Sequence, residues 1–151
     1  MTIFYKFDGQ MYINITNGCP CDCVFCLRNN SDSVKDNGSL WLEHEPTRQE
    51  ALDNLLARDF SQYRELVFCG FGEPMYRTDD IVWLVDELKK RVPNLPPVRI
   101  NTNGHANLIL GRDVCRNHKS NYGRQRDRCE TSCSLSECWC RTLYCRQSSF
   151  H

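Results

Sequence analysis

The sequence predicts an α/β fold built on a parallel sheet, followed by an irregular C-terminal segment. Up to about residue 114, short β-branched and aromatic runs alternate with longer stretches of helical apolar spacing. This alternation favours βαβ crossovers, which pair their strands in parallel. From Cys115 to His151 the chain contains no Val, Ile, Ala or Met, so this segment lacks the residues that a buried strand needs.

Length and composition indicate one ordinary globular domain. The chain has 151 residues, of which 40% are hydrophobic and 25% charged, and a chain of this size buries a substantial core. The sequence shows neither a signal peptide nor an apolar run long enough to span a membrane. Eleven cysteines, an odd number without an export signal, favour metal ligation in a reducing compartment. We therefore expect a cytoplasmic location and no membrane partner.

The chain begins with a predicted hairpin. Residues 3–7 and 11–16 are rich in β-branched and aromatic side chains, and the Asp8-Gly9 dipeptide between them is a tight-turn sequence. The second of these runs is predicted to be the first core strand of the sheet.

Two helices alternate with the later strands. The first precedes a strand predicted at residues 65–69, and the second lies between that strand and one predicted at residues 98–102. The first helix should begin with the capping box Thr47-x-x-Glu50, and the second with Thr78 and the two acids that follow it. Each helix carries one apolar stripe that should face the core: Ala51, Leu52, Leu55, Leu56 and Phe60 in the first, and Ile81, Val82, Leu84, Val85, Leu88 and Val92 in the second.

A cysteine-rich loop directly follows the first core strand. Cys19, Cys23 and Cys26 have the spacing C-x3-C-x2-C, and Cys21 lies between the first two. Iron–sulfur clusters are held by cysteine thiolates, so three thiols leave one iron of a cubane open to another ligand. A zinc site and free thiols remain alternatives, although structural zinc takes four ligands in two pairs and the N-terminal part of the chain lacks a second pair.

Two further polar motifs follow the next two strands. Gly70-Phe71-Gly72-Glu73-Pro74 ends one of them, and Asn101-Thr102-Asn103-Gly104 ends the other. The carboxyl ends of parallel strands form the ligand-binding edge of such a sheet. Paired glycines allow close backbone approach to a ligand, and a carboxylate can accept hydrogen bonds from an ammonium group.

The three motifs, in this order, resemble those of the radical S-adenosylmethionine (SAM) enzymes, with the aromatic Phe25 just before the last cysteine. The resemblance implies that Cys19, Cys23 and Cys26 hold three irons of a 4Fe–4S cluster. The amino and carboxylate groups of SAM would chelate the fourth iron, and Cys21 would be a spare thiol.

The same resemblance implies a SAM site made by the other two motifs. Gly70, Gly72 and Glu73 would contact the methionyl amine, and Asn101 and Asn103 would lie near the ribose or the methionyl group. Phe25 would complete the list of cofactor-binding residues. The identity of any catalytic residue beyond these stays open.

As the family implies, the reduced cluster would cleave SAM to methionine and a 5′-deoxyadenosyl radical that abstracts hydrogen from an unidentified substrate. An electron donor such as flavodoxin or ferredoxin would be needed. The motif forms are most similar to the TatD-associated subgroup, which implies a TatD-like partner, and no feature of the sequence points to a nucleic acid. A non-catalytic zinc or electron-transfer module remains the alternative function.

The resemblance covers residues 1–114 and would make them the N-terminal half of a radical SAM core, a partial (βα) barrel. The Cys/Arg/Ser-rich segment 115–151 has no match, and we expect it to be disordered. Either its cysteines form a second metal site or the reading frame shifted near Val114, which we favour. A truncated and inactive product is a further alternative that the sequence leaves open. The cysteines concerned are Cys115, Cys129, Cys133, Cys138, Cys140 and Cys145.

Overall fold

The structure, a computed structural model, describes residues 2–112 and contains a four-stranded mixed sheet. The strands are β1 (Phe4–Phe7), β2 (Gln10–Ile13), β3 (Leu66–Phe68) and β4 (Val98–Ile100), in that spatial order. β1 and β2 are antiparallel, whereas β2, β3 and β4 run parallel. The predicted α/β fold with a parallel sheet is therefore confirmed.

The predicted hairpin is confirmed, but its second strand is shorter than residues 11–16. Asp8 and Gly9 both have positive φ angles, 48° and 71°, which is the backbone that a two-residue hairpin turn requires. β2 ends at Ile13, and beyond it the side chains of Asn14 and Asn17 donate to the carbonyls of Leu40 and Leu42 in a later segment. That early end lets the chain turn into the cysteine-rich loop.

The helices are α1 (Arg48–Leu56), α2 (Thr78–Arg91) and α3 (Ala106–Leu110). The capping box at the start of α1 is formed in both directions, as predicted. The predicted cap of α2 is wrong: Thr78 is the first helical residue, and its hydroxyl donates to the Met75 carbonyl instead of capping the helix.

The main core lies between one face of the sheet and helices α1 and α2. Its members are Met11, Ile13, Ile15, Ala51, Leu52, Leu55, Phe60, Leu66, Phe68, Ile81, Leu84, Val85 and Leu88. Phe60 joins this core from a short 3-10 turn, Phe60–Gln62, and not from α1 as the stripe predicted. The opposite face of the sheet carries a polar row that includes Arg99 and Glu65, whose side chains form an ion pair of 3.1 Å.

The predictions for residues 115–151 lie outside the described residues. Within residues 2–112, no helix has the length and apolar character needed to cross a membrane.

Candidate functional site

Three loops meet at the carboxyl edge of the parallel strands. We call residues 18–26 the cysteine loop, residues 70–74 the glycine loop and residues 101–105 the asparagine loop. They follow β2, β3 and β4 respectively, and because these strands are parallel all three loops leave the sheet at the same edge. This is the edge at which α/β proteins bind their ligands.

The cysteine loop is held by backbone bonds and presents four free thiols. Cys19, Cys21, Cys23 and Cys26 are all partly buried and unpaired. The Cys26 amide donates to the Cys23 carbonyl over 2.9 Å. The Arg28 guanidinium donates to the Cys21 carbonyl over 2.7 Å.

The outer part of this loop is open to solvent. Val24 is 92% exposed and Phe25 is 79% exposed. The aromatic ring predicted to bind SAM is therefore at the surface beside the thiols, and the structure does not bring it against the other two loops.

The glycine loop packs backbone to backbone against the root of the cysteine loop. A Cβ atom on Gly72 would overlap the Thr16 carbonyl oxygen and would lie 2.8 Å from the Gly18 carbonyl oxygen. The Glu73 amide also donates to the Gly18 carbonyl, over 2.7 Å. Gly72 is thus required by the close approach of these two protein segments.

Gly70 makes room for a buried amide. A Cβ atom there would overlap the side chain of Asn14, which is 1% exposed. The Asn14 Nδ2 donates to the carbonyls of Thr2 and Leu40, at 3.2 Å and 2.7 Å, while its Oδ1 has no hydrogen-bond partner. The first glycine of the motif is therefore set by a side chain from the neighbouring strand end.

Glu73 joins the glycine loop to the asparagine loop. The residue is 3% exposed. Its Oε1 accepts from the Met75 amide over 3.0 Å, and its Oε2 accepts from the Asn103 amide over 2.6 Å. A carboxylate oxygen has more than one lone-pair site, so each oxygen keeps capacity for a further donor such as an ammonium group.

The asparagine loop also contacts the cysteine loop. The Asn103 Nδ2 lies 3.3 Å from the Cys21 sulfur and 4.0 Å from the Cys19 sulfur. The His105 Nδ1 lies 3.7 Å from the Cys21 sulfur. His105 is exposed, and the spacing of residues in the sequence does not reveal its thiol neighbour.

Asn101 directly follows β4, whereas Asn103 lies two residues further along the loop. The Asn101 Oδ1 accepts from the Arg99 guanidinium. The side chains of the two asparagines therefore have different surroundings. That of Asn103 contacts the thiols, and that of Asn101 lies on the polar face of the sheet beside Arg99.

Local environments raise several pKa values around the thiols. Partial burial, and then the neighbouring Cys19 and Cys23, raise the pKa of Cys21. Burial raises the pKa of Cys69, although Asn101 and the Arg99 charge oppose that effect. These two thiols consequently keep their protons to higher pH than a free cysteine.

The sequence reasoning missed the polar residues that fix the root of the cysteine loop. Glu45 accepts from the Thr16 hydroxyl and from the Asn17 amide, the latter over 3.1 Å. Arg77 donates to the Ile15 carbonyl over 3.1 Å and to the Pro46 carbonyl over 3.0 Å. The sequence offered only an indirect signal. Thr16 and Asn17 are polar residues directly after an apolar strand, and buried polar residues need hydrogen-bond partners elsewhere in the chain.

The thiols of the cysteine loop suit an iron–sulfur cluster, both as ligands and by their position at the carboxyl ends of the parallel strands. Within residues 2–112, no three His, Cys, Asp or Glu side chains are gathered closely enough to hold a single metal ion. The loop nevertheless offers free thiols at the ligand-binding edge, and thiolates are the ligands of such clusters. The structure brings Cys19, Gly72, Glu73 and Asn103 together.

Comparison with known proteins gives a family match. The profile of the radical SAM superfamily matches residues 13–119. A protein of Pseudomonas paraeruginosa named "Probable RNA methyltransferase" is 29% identical over 80 residues, which is 53% of this chain and 21% of that protein.

Two other relatives carry similar names. A "Probable RNA methyltransferase" of Stutzerimonas stutzeri is 35% identical over 71 residues, 47% of this chain and 18% of that protein. A "Probable dual-specificity RNA methyltransferase RlmN" of Chlorobium chlorochromatii is 28% identical over 80 residues, 52% of this chain and 20% of that protein. The chain spans about a fifth of the length of these curated relatives. No solved structure gives a significant match.

Proposed function

The chain belongs to the radical SAM superfamily, whose members are enzymes that use a 4Fe–4S cluster and SAM, and we propose that Cys19, Cys23 and Cys26 are the cluster ligands. The observation that carries this proposal is the contact of three motif loops at one edge of the sheet. When bound, a reduced cluster supplies the electron that cleaves SAM to methionine and a 5′-deoxyadenosyl radical.

The residues around the thiols would bind and orient SAM. Glu73 joins the glycine loop to the asparagine loop and has acceptor capacity left on both oxygens, which suits the N–H groups of the methionyl amine. Gly70 and Gly72 keep side chains out of the space beside it. Asn103, which faces both Glu73 and the thiols, would contact the same end of SAM.

Asn101 and Phe25 would have more peripheral roles. Asn101 is held by Arg99 and would border the site from the sheet face. Phe25 is exposed next to Cys26 and would cover the cofactor only after the outer loop moves. Residues 1–114 would form the part of the domain that carries these groups.

Reconstitution and SAM cleavage test this proposal directly. The full-length protein, treated anaerobically with iron and sulfide, should bind about four irons per chain and form 5′-deoxyadenosine when reduced in the presence of SAM. Cys23→Ala should lose the cluster, since two cysteines cannot hold it, whereas Cys21→Ala should keep it. A protein that binds no cluster, or a Cys23→Ala variant that binds as much iron as the parent, would remove the basis of the assignment.

For the substrate we propose RNA, because the relatives that match the chain are named RNA methyltransferases. Transfer of label from methyl-labelled SAM to total cellular RNA would support this substrate, and a fully reduced, SAM-cleaving protein that leaves RNA unlabelled would exclude it.

The motif forms favour a second candidate within the superfamily. Gly-x-Gly-Glu-Pro at Gly70 and Asn-Thr-Asn-Gly at Asn101 are similar to the TatD-associated subgroup. Membership there would imply a complex with a TatD-like protein, and either candidate needs an electron donor such as flavodoxin or ferredoxin. Co-purification of the chain with a TatD-like protein from its own cells would favour this candidate over RNA methylation.

A further inference from the structure

The sulfur of Cys21, the thiol that the three-cysteine spacing leaves out, has more polar neighbours than the other sulfurs of the loop. The carbonyl of this residue accepts from Arg28 over 2.7 Å. Its sulfur lies 3.3 Å from the Asn103 Nδ2 and 3.7 Å from the His105 Nδ1. Cys19 shares only the Asn103 contact, and at 4.0 Å. A spare side chain on an exposed loop has no need of such fixation, so these contacts call for a role.

The contacts of Cys21 connect it to the same loops that would hold SAM. Asn103 bonds to Cys21 through its side chain and to Glu73 through its amide. The Glu73 amide in turn bonds to Gly18, at the start of the cysteine loop. Cys21 is thus oriented toward the asparagine loop, on the side of the cysteine loop where the three motifs meet.

Three thiolates leave one iron of a cubane without a protein ligand. Cys21 is two residues from both Cys19 and Cys23, so it has the reach to approach an iron that neither of them binds. It is also a thiol, a ligand type that these irons prefer to water, whereas SAM offers two donor groups to the same iron at once.

We propose that Cys21 is a fourth, exchangeable ligand of the cluster, bound to the open iron when SAM is absent and displaced when SAM chelates that iron. This inference rests on the proposed function of Cys19, Cys23 and Cys26. Asn103 would link displacement to SAM binding, because it contacts both the Cys21 sulfur and the Glu73 carboxylate. The exchange replaces one ligand by another and changes no oxidation state.

Loss of the open iron gives a direct measurement. A cubane with one weakly held iron is converted by mild oxidation to a 3Fe–4S cluster, which EPR detects in the oxidised state. The full-length reconstituted protein without SAM is treated with a fixed amount of ferricyanide, and the 3Fe–4S fraction is measured. Cys21→Ala should convert several-fold more of its cluster than the parent, and SAM added first should protect both proteins to the same extent.

Two matched variants separate ligation from other effects. Cys69→Ala removes a thiol from the end of β3, outside the cysteine loop, and should behave as the parent does. Cys21→Ser keeps a group that can bond to Asn103 and His105 but is a poorer iron ligand, so it should convert as Cys21→Ala does.

The outcomes distinguish this inference from the function on which it rests. Equal conversion of the parent, Cys21→Ala and Cys69→Ala would overturn the exchangeable ligand while leaving the three-cysteine cluster intact. Parent-like behaviour of Cys21→Ser, with high conversion of Cys21→Ala, would also overturn it, because hydrogen bonding alone would then explain the protection. A parent protein that binds no cluster would instead refute the proposed function.

Discussion

The glycine loop and the cysteine loop form two parts of one candidate site, yet they are built in opposite ways. Phe71 and Glu73 are each at most 5% exposed, whereas Val24 is 92% and Phe25 79% exposed. The first loop is fixed by packing and by hydrogen bonds to its neighbours. The second lacks apolar contacts in its outer part, and ligand residues of this kind often acquire their final arrangement when the metal binds.

Substitution in the glycine loop should therefore cost far more stability than substitution in the cysteine loop. Gly72→Ala places a methyl group against two backbone carbonyls, which cannot move aside as a flexible side chain can. We expect a loss of about 3 kcal/mol or more in the free energy of unfolding, measured by urea denaturation of the cluster-free protein.

The matched control is Val24→Ala, which truncates an exposed side chain and should change the same free energy by less than about 0.5 kcal/mol. Equal effects of the two substitutions would contradict the contrast between the loops.

The pair of Gly70 and Asn14 sharpens the contrast, because here the obstacle is a side chain. Gly70→Ala should destabilise the protein by about 2 kcal/mol. In an Asn14→Ala background the space is vacated, so the same change should cost much less, and a double-mutant cycle measures the difference. Additive effects would mean that the Asn14 amide is not what requires a glycine at this position.

Glu73→Gln tests the carboxylate that joins the loops. Glutamine has one acceptor oxygen, so one of the two amides that now donate to Glu73 would lose its acceptor. A buried donor without a partner costs about 1–2 kcal/mol, which thermal and urea unfolding can detect. Asp36→Asn, the same chemical change in an exposed loop, is the control and should be neutral.

The smallest loss of stability is expected at the cap of α1, which is remote from the site. Thr47→Ala removes the cap of α1 and should cost about 1 kcal/mol of stability without altering cluster content. A fall in the iron bound per folded chain would contradict this expectation, because cluster binding would then depend on the cap of α1.

The same cap gives a pH dependence. Bonds from Thr47 hold the pKa of Glu50 below its usual value. A carboxyl whose folded pKa is lowered stabilises the fold above its unfolded pKa of about 4.3 and loses that contribution as the pH falls further. Glu50→Gln should therefore flatten the stability profile below that pH, and an unchanged acid limb would contradict the assignment.

The order of elements could be predicted from the sequence because local patterns determine it. Asp8-Gly9 determined the hairpin, and the Thr47 box determined the start of α1. The end of β2 and the start of α2 were misplaced, since neither boundary follows from the local pattern of residues. Thr78, which resembles a cap, instead bonds to Met75.

The candidate site was predictable as three motifs but not as a set of contacts. Neither the match of Gly70 to Asn14 nor the contact between Cys21 and His105 leaves a local pattern in the sequence, because both pairs are distant along the chain. Spacing can identify thiols that suit a cluster, whereas only the folded arrangement shows which of them a neighbouring loop restrains.

The EPR spectrum of the reduced, reconstituted protein, recorded before and after addition of SAM, tests the central claim most directly. If Cys19, Cys23 and Cys26 hold a cluster whose remaining iron binds SAM, the signal should change shape on addition of SAM, and Cys23→Ala should give no cluster signal. A 4Fe–4S spectrum that stays the same at saturating SAM would contradict the account.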